Sequence, residues 1–132
     1  VLSFNTYSAI IKMKGVFMDH SESPIILRLK KATTELLLLS LLDEEDMYGY
    51  QLASEIKQRS HELCACKETS LYPILNRLLE KDLVSTSNVV TEKKKIRVYY
   101  HLSETGKEYY EDMKKNYAAY ITTVNNFLKL EV

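Results

Sequence analysis

At 132 residues the chain is long enough for one compact core and little more. Lys plus Arg and Asp plus Glu both total 18, so net charge selects no partner, and any electrostatic function must come from charge segregated along the chain. A 45% hydrophobic content with only 3 Gly and 2 Pro points to a helix-rich globular protein; two cysteines are too few for a disulfide framework, and no stretch approaches the ~20 apolar residues of a membrane span.

Residues 1–23 lack the charged start, continuous apolar run and small-residue cleavage site of a signal peptide. They are read as an N-terminal extension, flexible and outside the fold, of a cytoplasmic protein. Pro24 opens a helix, and "IILRLKKATTELLLLSLL" (25–42) continues it without Gly or Pro. That stretch is apolar over so much of its later circumference that it belongs at the centre of the core, and the charged run "DEED" (43–46) ends it. "MYGYQLASEIKQRS" (47–60) follows as a short amphipathic helix, with Leu52, Ala53 and Ile56 on one face and Gly49 at the turn near its start. "HELCACKE" then connects to a third helix.

That third helix, "TSLYPILNRLLEKDLV" (69–84), carries Leu71, Ile74, Leu75, Leu78 and Leu79 at helical spacing as one apolar stripe. Thr69, Tyr72, Pro73, Asn76 and Arg77 fall on or beside the opposite face. A cap at Thr69 or Ser70 places Pro73 in or at the edge of the first turn, where its missing N–H costs little. Hydroxyls at a helix N-terminus suit phosphate oxygens, while Asn and Arg can pair bidentately with adenine and guanine in the major groove. An ordinary solvated face, with Tyr72 packed on a neighbour, remains the alternative.

"LVSTSNVV" (83–90) and "IRVYYHL" (96–102) read as two strands of a hairpin, with "TEKKK" as a long, mobile tip. Lys93, Lys94, Lys95 and Arg97 crowd five positions there. Between 67 and 101, seven Lys or Arg face four Asp or Glu, so the neutral chain contains a basic region. A charged tip can simply be solvated; after such a helix it also supplies a phosphate clamp. Ser103 caps the last element (103–130), and Gly106 is tolerated in its first turn. The expected fold is mainly α with a small β-hairpin: a winged helix-turn-helix domain over 24–102 and a long C-terminal dimerisation helix over 103–132.

Three motifs, "MYGYQLASEI" (47–56), "TSLYPILNRLLEKDLV" (69–84) and "RVYYHLSETGKEYY" (97–110), resemble in order and spacing the PadR family of bacterial transcriptional regulators. The resemblance implies a winged helix-turn-helix repressor of the short form, with a single C-terminal helix, that binds operator DNA as a dimer and is released by a small ligand. It implies that Tyr72 is the hallmark tyrosine of the recognition helix, and that Arg97, Tyr99 and Tyr100 form the wing's basic-aromatic "R-x-Y-Y". Helix face, wing charge and resemblance together give the expected DNA-binding set Thr69, Ser70, Tyr72, Pro73, Asn76, Arg77, Lys93, Lys94, Lys95, Arg97 and Tyr99. The chain departs from the family at Asp82, where glycine is usual, and in the wing, where lysine replaces the usual glycine. Residues 1–23 have no obvious counterpart.

Tyr110, Met113, Tyr117, Tyr120, Val124 and Phe127 step by 3 and 4 along the last helix, a heptad seam. The first helix of the same chain can cover part of it; a second copy covers the rest more economically, which predicts a homodimer suited to palindromic half-sites. The resemblance adds that drug-sensing relatives hold flat aromatic compounds at this interface, stacked on a residue that is usually tryptophan. The corresponding position here is Tyr117, near Tyr110 and Met113, so any effector implied is a small aromatic or phenolic compound. Finally, His61, Cys64 and Cys66 form H-x-x-C-x-C, three potential ligands for Zn²⁺ or a softer metal, or a thiol redox pair. A metal- or redox-responsive regulator is therefore an alternative, as is a winged domain used as a protein-interaction adaptor. No glycine-rich phosphate loop, HExxH or nucleophile–base pair is present, so neither catalysis nor a cofactor is expected.

Overall fold

The computed structural model describes residues 23–131; the expected extension over 1–23 lies, except for Ser23, outside the described residues. The elements run α1 (Pro24–Glu44), β1 (Met47–Tyr48), α2 (Gly49–Arg59), α3 (Glu68–Glu80), β2 (Val84–Val90), β3 (Ile96–Leu102) and α4 (Glu104–Leu128). The fold is mostly helical with a small antiparallel sheet of order β1-β3-β2, as a winged helix-turn-helix requires. Pro24 stands at the first turn of α1, where its missing N–H would have been unpaired anyway. The helix ends inside the acidic run, at Glu44.

The core is the set of leucine stripes that periodicity marked. Leu38, Leu39, Leu41 and Leu42 of α1 meet Leu52 and Ile56 of α2, Leu71, Leu75 and Leu78 of α3, and the sheet residues Met47, Val84, Tyr100 and Leu102. At 25 cal/mol per Å², each fully buried leucine contributes roughly 2 kcal/mol against exposure.

Four local expectations change. Met47 and Tyr48 are not the first turn of a helix: they form a two-residue strand pairing with Tyr100 and Tyr99, and α2 begins only at Gly49. Helix α3 begins at Glu68 with Lys67 as N-cap, earlier than Thr69 or Ser70, so Pro73 sits in its second turn. There it removes the N–H that would bond the Thr69 carbonyl, a real loss at an exposed position. The hairpin keeps the expected bounds to within a residue, running in register from Val84–Leu102 to Val90–Ile96. Its tip, however, is a closed turn: Thr91 N–H donates to the Lys95 carbonyl (2.8 Å), Lys94 N–H to the Thr91 carbonyl (2.9 Å), and Lys95 N–H to Thr91 Oγ1 (3.2 Å). Lys94 takes φ 58°, the left-handed residue that ends a type I turn and bulge.

Asp82 also has φ 56°. Its N–H donates to the Leu79 carbonyl (3.0 Å) and that of Leu83 to the Leu78 carbonyl (2.9 Å), a Schellman ending with Leu78 and Leu83 both buried. Asp82 and Lys94 thus both hold the left-handed backbone that glycine adopts most readily, without being glycine. Asp82→Gly is expected to raise stability by about 1 kcal/mol, read as a higher urea midpoint at unchanged m. A lower midpoint would mean that the carboxylate itself is needed there.

The fourth change concerns Gly106. Ser103 caps α4 as expected, accepting from the Gly106 N–H at 3.0 Å. Gly106 itself is buried against the α3–β2 turn, where a Cβ would overlap the Leu83 carbonyl oxygen and meet Leu102 Cδ1 at 2.7 Å. It is required, not tolerated.

Candidate nucleic-acid interface

With Leu71, Leu75 and Leu78 fixing the buried side of α3, a turn of 100° per residue points Thr69, Pro73, Asn76 and Glu80 directly outward. Ser70 and Arg77 stand on one flank, and all six are exposed. Glu80, which did not stand out in the sequence, adds a carboxylate at the far end of this face.

Tyr72 lies on the other flank and is half-buried. Its hydroxyl donates to Glu68 Oε2 at 2.5 Å, and the ring rests on α2, where a Cβ on Gly49 would come within 2.7 Å of the hydroxyl oxygen. Hydrogen bonding to the Glu68 carboxylate, helped by burial, pushes its pKa up to about 12. Tyr72 therefore sets the α2–α3 contact through a glycine-sized gap instead of standing free on the outward face.

Lys93, Lys94 and Lys95 project from the closed tip and are exposed. Arg97 stacks with its guanidinium carbon 4.6 Å from the centre of the Tyr48 ring, which also meets Tyr99 (5.3 Å) and Tyr50 (6.4 Å, 19° between planes). Tyr48 and Tyr50 were not singled out from the sequence, although both lie in "MYGYQL". Reading that stretch as helix hid the strand pairing that brings Tyr48 to Arg97. Val90 and Ile96, opposite each other at the tip, are also exposed.

The heptad seam on α4 divides in two. Tyr110 is 8% exposed and belongs to the chain's own core, with Lys114 Nζ 4.7 Å from its ring centre, and Met113 packs beside it. Tyr109, adjacent, donates to Glu35 of α1 at 3.1 Å. This half of the seam is therefore covered within the chain. Beyond it Tyr117 is exposed, Tyr120 is 70% and Phe127 83% exposed, and Val124 is half-buried. On α1, Ile25, Leu27 and Leu29 are exposed as well.

The third constellation does not assemble. Among the described residues no three His, Cys, Asp or Glu side chains converge to hold a metal ion, so His61, Cys64 and Cys66 are not brought together as a ligand set. Burial pushes both thiols up, away from reactive thiolate. His101 pairs through Nδ1 with Asp46 at 2.7 Å.

Among the described residues no helix is long and apolar enough to cross a membrane. In comparisons with known proteins, the chain is similar to a PadR-like transcriptional regulator of Bacillus cereus, 30% identical over 79% of this chain and 99% of that one, with a TM-score of 0.67. An uncharacterized protein of Lysinibacillus sphaericus is 28% identical over 93 residues, covering 70% of this chain and 85% of the relative. The PadR of Bacillus subtilis, solved in complex with operator DNA, is similar in fold (TM-score 0.57, 22% identity), over 61% of this chain and 47% of that chain. The Transcriptional regulator PadR-like family matches residues 38–112, a span that contains α2, α3, the whole wing and the start of α4, and the chain belongs to that family.

Proposed function

We propose that the protein is a sequence-specific repressor that binds double-stranded operator DNA as a homodimer and is released by a small aromatic effector. The observation that carries this reading is the outward face of α3, with Thr69, Ser70, Pro73, Asn76 and Arg77 exposed on the helix that leads directly into a wing bearing four cations. A helix of this kind fits the major groove, Asn76 and Arg77 offering base pairing while Lys93, Lys94, Lys95 and Arg97 meet phosphates. That a family member has been solved on operator DNA supports the same use here. Residues 24–102 are then the DNA-binding domain and 103–132 the dimerisation helix, of a cytoplasmic protein associated with the nucleoid.

The exposed half of α4 supports the dimer: a helix face ending in Tyr120, Val124 and Phe127 is too apolar to be left to water over its length. Replacing Tyr120 and Phe127 by Glu is expected to give monomers on size-exclusion with the fold intact, because neither side chain belongs to the chain's own core. An unchanged dimer would place the interface elsewhere. Of Tyr110, Met113 and Tyr117, only Tyr117 is open enough to stack on an effector, since Tyr110 is buried. The DNA reading is tested by fluorescence anisotropy on a duplex from upstream of the protein's own coding sequence, against random duplex, at two salt concentrations. Tight, preferential and steeply salt-dependent binding is expected. Absent or salt-insensitive binding overturns it.

A further inference from the structure

The two-residue strand β1 has an effect out of proportion to its length. Residues paired across an antiparallel sheet share a face, so Tyr48 lies with Tyr99, and Arg97, two positions before Tyr99, lies there too. Met47, on the other face, is buried at 1% and anchors the strand to the core. The Tyr48 ring is thereby pinned under the Arg97 guanidinium at 4.6 Å, with Tyr99 and Tyr50 on its other sides.

The two arginines Arg59 and Arg97 are held in opposite ways. Arg59 spends its donors on Glu44 (2.6 and 3.0 Å) and Glu55 (2.8 Å) and stitches α2 to α1. Arg97 makes no ion pair among the described residues and is held through its flat face. A guanidinium stacked on a ring keeps its charge and leaves its in-plane N–H donors open to an acceptor, the geometry that suits a bidentate contact to phosphate. Tyr48 is also continuous with Gly49, on which Tyr72 of α3 rests. The ring therefore registers the wing's arginine against the recognition helix.

We infer that Tyr48 is a positioning residue for DNA binding, holding Arg97 by a cation–π stack so that its guanidinium is presented ready-ordered to a backbone phosphate. The inference rests on the DNA reading above and adds to it a residue outside both α3 and the wing. Pre-ordering matters because an unstacked arginine must give up its rotamer freedom on binding.

The test is a double-mutant cycle on the full chain, read by anisotropy with the upstream duplex near 0.1 M salt. Tyr48→Phe keeps the ring and is expected to bind like the wild type. Tyr48→Leu keeps the strand and loses the ring, and should weaken binding about five- to tenfold. In an Arg97→Ala background, Tyr48→Leu should have no further effect. Arg97→Lys, which keeps the charge and strand but loses the planar fork, should weaken binding while leaving the salt slope unchanged, and it serves even where Tyr48→Leu folds poorly. Equal losses from Tyr48→Leu with and without Arg97, or no loss from either Tyr48→Leu or Arg97→Lys, would overturn the role of Tyr48 while leaving DNA binding standing. A wild-type chain that shows no salt-dependent binding overturns the DNA reading and this inference with it.

Discussion

Gly106→Ala should lower stability by about 3 kcal/mol, a fall of more than ~10 °C in thermal midpoint for a domain of this size. The sign is what makes the experiment informative. In an exposed helical turn the same change stabilises by up to about 1 kcal/mol, because alanine has the better helix propensity. Here the new methyl group would overlap the Leu83 carbonyl oxygen. That carbonyl cannot withdraw freely, because it accepts the Ser103 N–H at 3.1 Å and the Ser103 hydroxyl approaches it at 3.0 Å. It also belongs to the turn that closes α3, so relief must move the end of α3 or lift the start of α4. Overpacking of this kind against backbone is among the few single-residue changes with effects well above 1 kcal/mol. A wild-type or higher midpoint would mean that α4 does not seat on the α3–β2 turn as described.

The largest effect on binding is expected from neutralising the wing tip. Lys93→Ala, Lys94→Gly and Lys95→Ala together should weaken binding of every duplex alike, on the order of several hundredfold at 0.1 M salt. The slope of log affinity against log salt should flatten by about 2.7, one phosphate contact being lost per lysine. Glycine is chosen at position 94 because its φ of 58° sits in the left-handed region, so the turn keeps its shape while the charge goes. An unchanged thermal midpoint would show that the hairpin survives. A loss confined to one sequence, with the salt slope intact, would contradict the clamp and assign these lysines to base readout instead.

How much of this is legible in the sequence differs from element to element. The stripe of Leu71, Leu75 and Leu78 is a local signal, since a 3.6-residue period puts those side chains on one face whatever lies opposite, and all three are buried. The wing strands were legible for the same reason: β-branched and aromatic residues on both sides of a charged tip pair with little outside help. The start of α3 is not legible in the same way, because Thr69 and Ser70 look like caps whereas the helix begins at Glu68 and accepts Pro73 inside it. Tyr48 was missed for another reason. Its strand exists only because β3, some fifty residues later, provides a partner, and two residues carry no periodicity of their own.

The candidate site divides along the same line. Asn76 and Arg77 are outward because their own helix makes them so, and the three tip lysines are exposed because a hairpin end has nowhere to bury them. Spacing within α3 puts Tyr72 on or beside the face opposite the leucines, but its seat against Gly49 is a contact between separate helices that no such spacing encodes. The heptad seam shows the division within one helix: the 3-4 step is written in the residues, but α1 covers Tyr110 and leaves Phe127 open.

The sequence by itself determined the helices, the hairpin, their order and which side of each is apolar, because these follow from side-chain period and turn chemistry acting over a few residues. Only the tertiary structure decided which glycine is indispensable, which aromatic ring holds the wing's arginine and where the seam of α4 passes from core to open surface. Each of those depends on two segments remote in the chain meeting at van der Waals distance, and the outcome is set by the packing of the whole core.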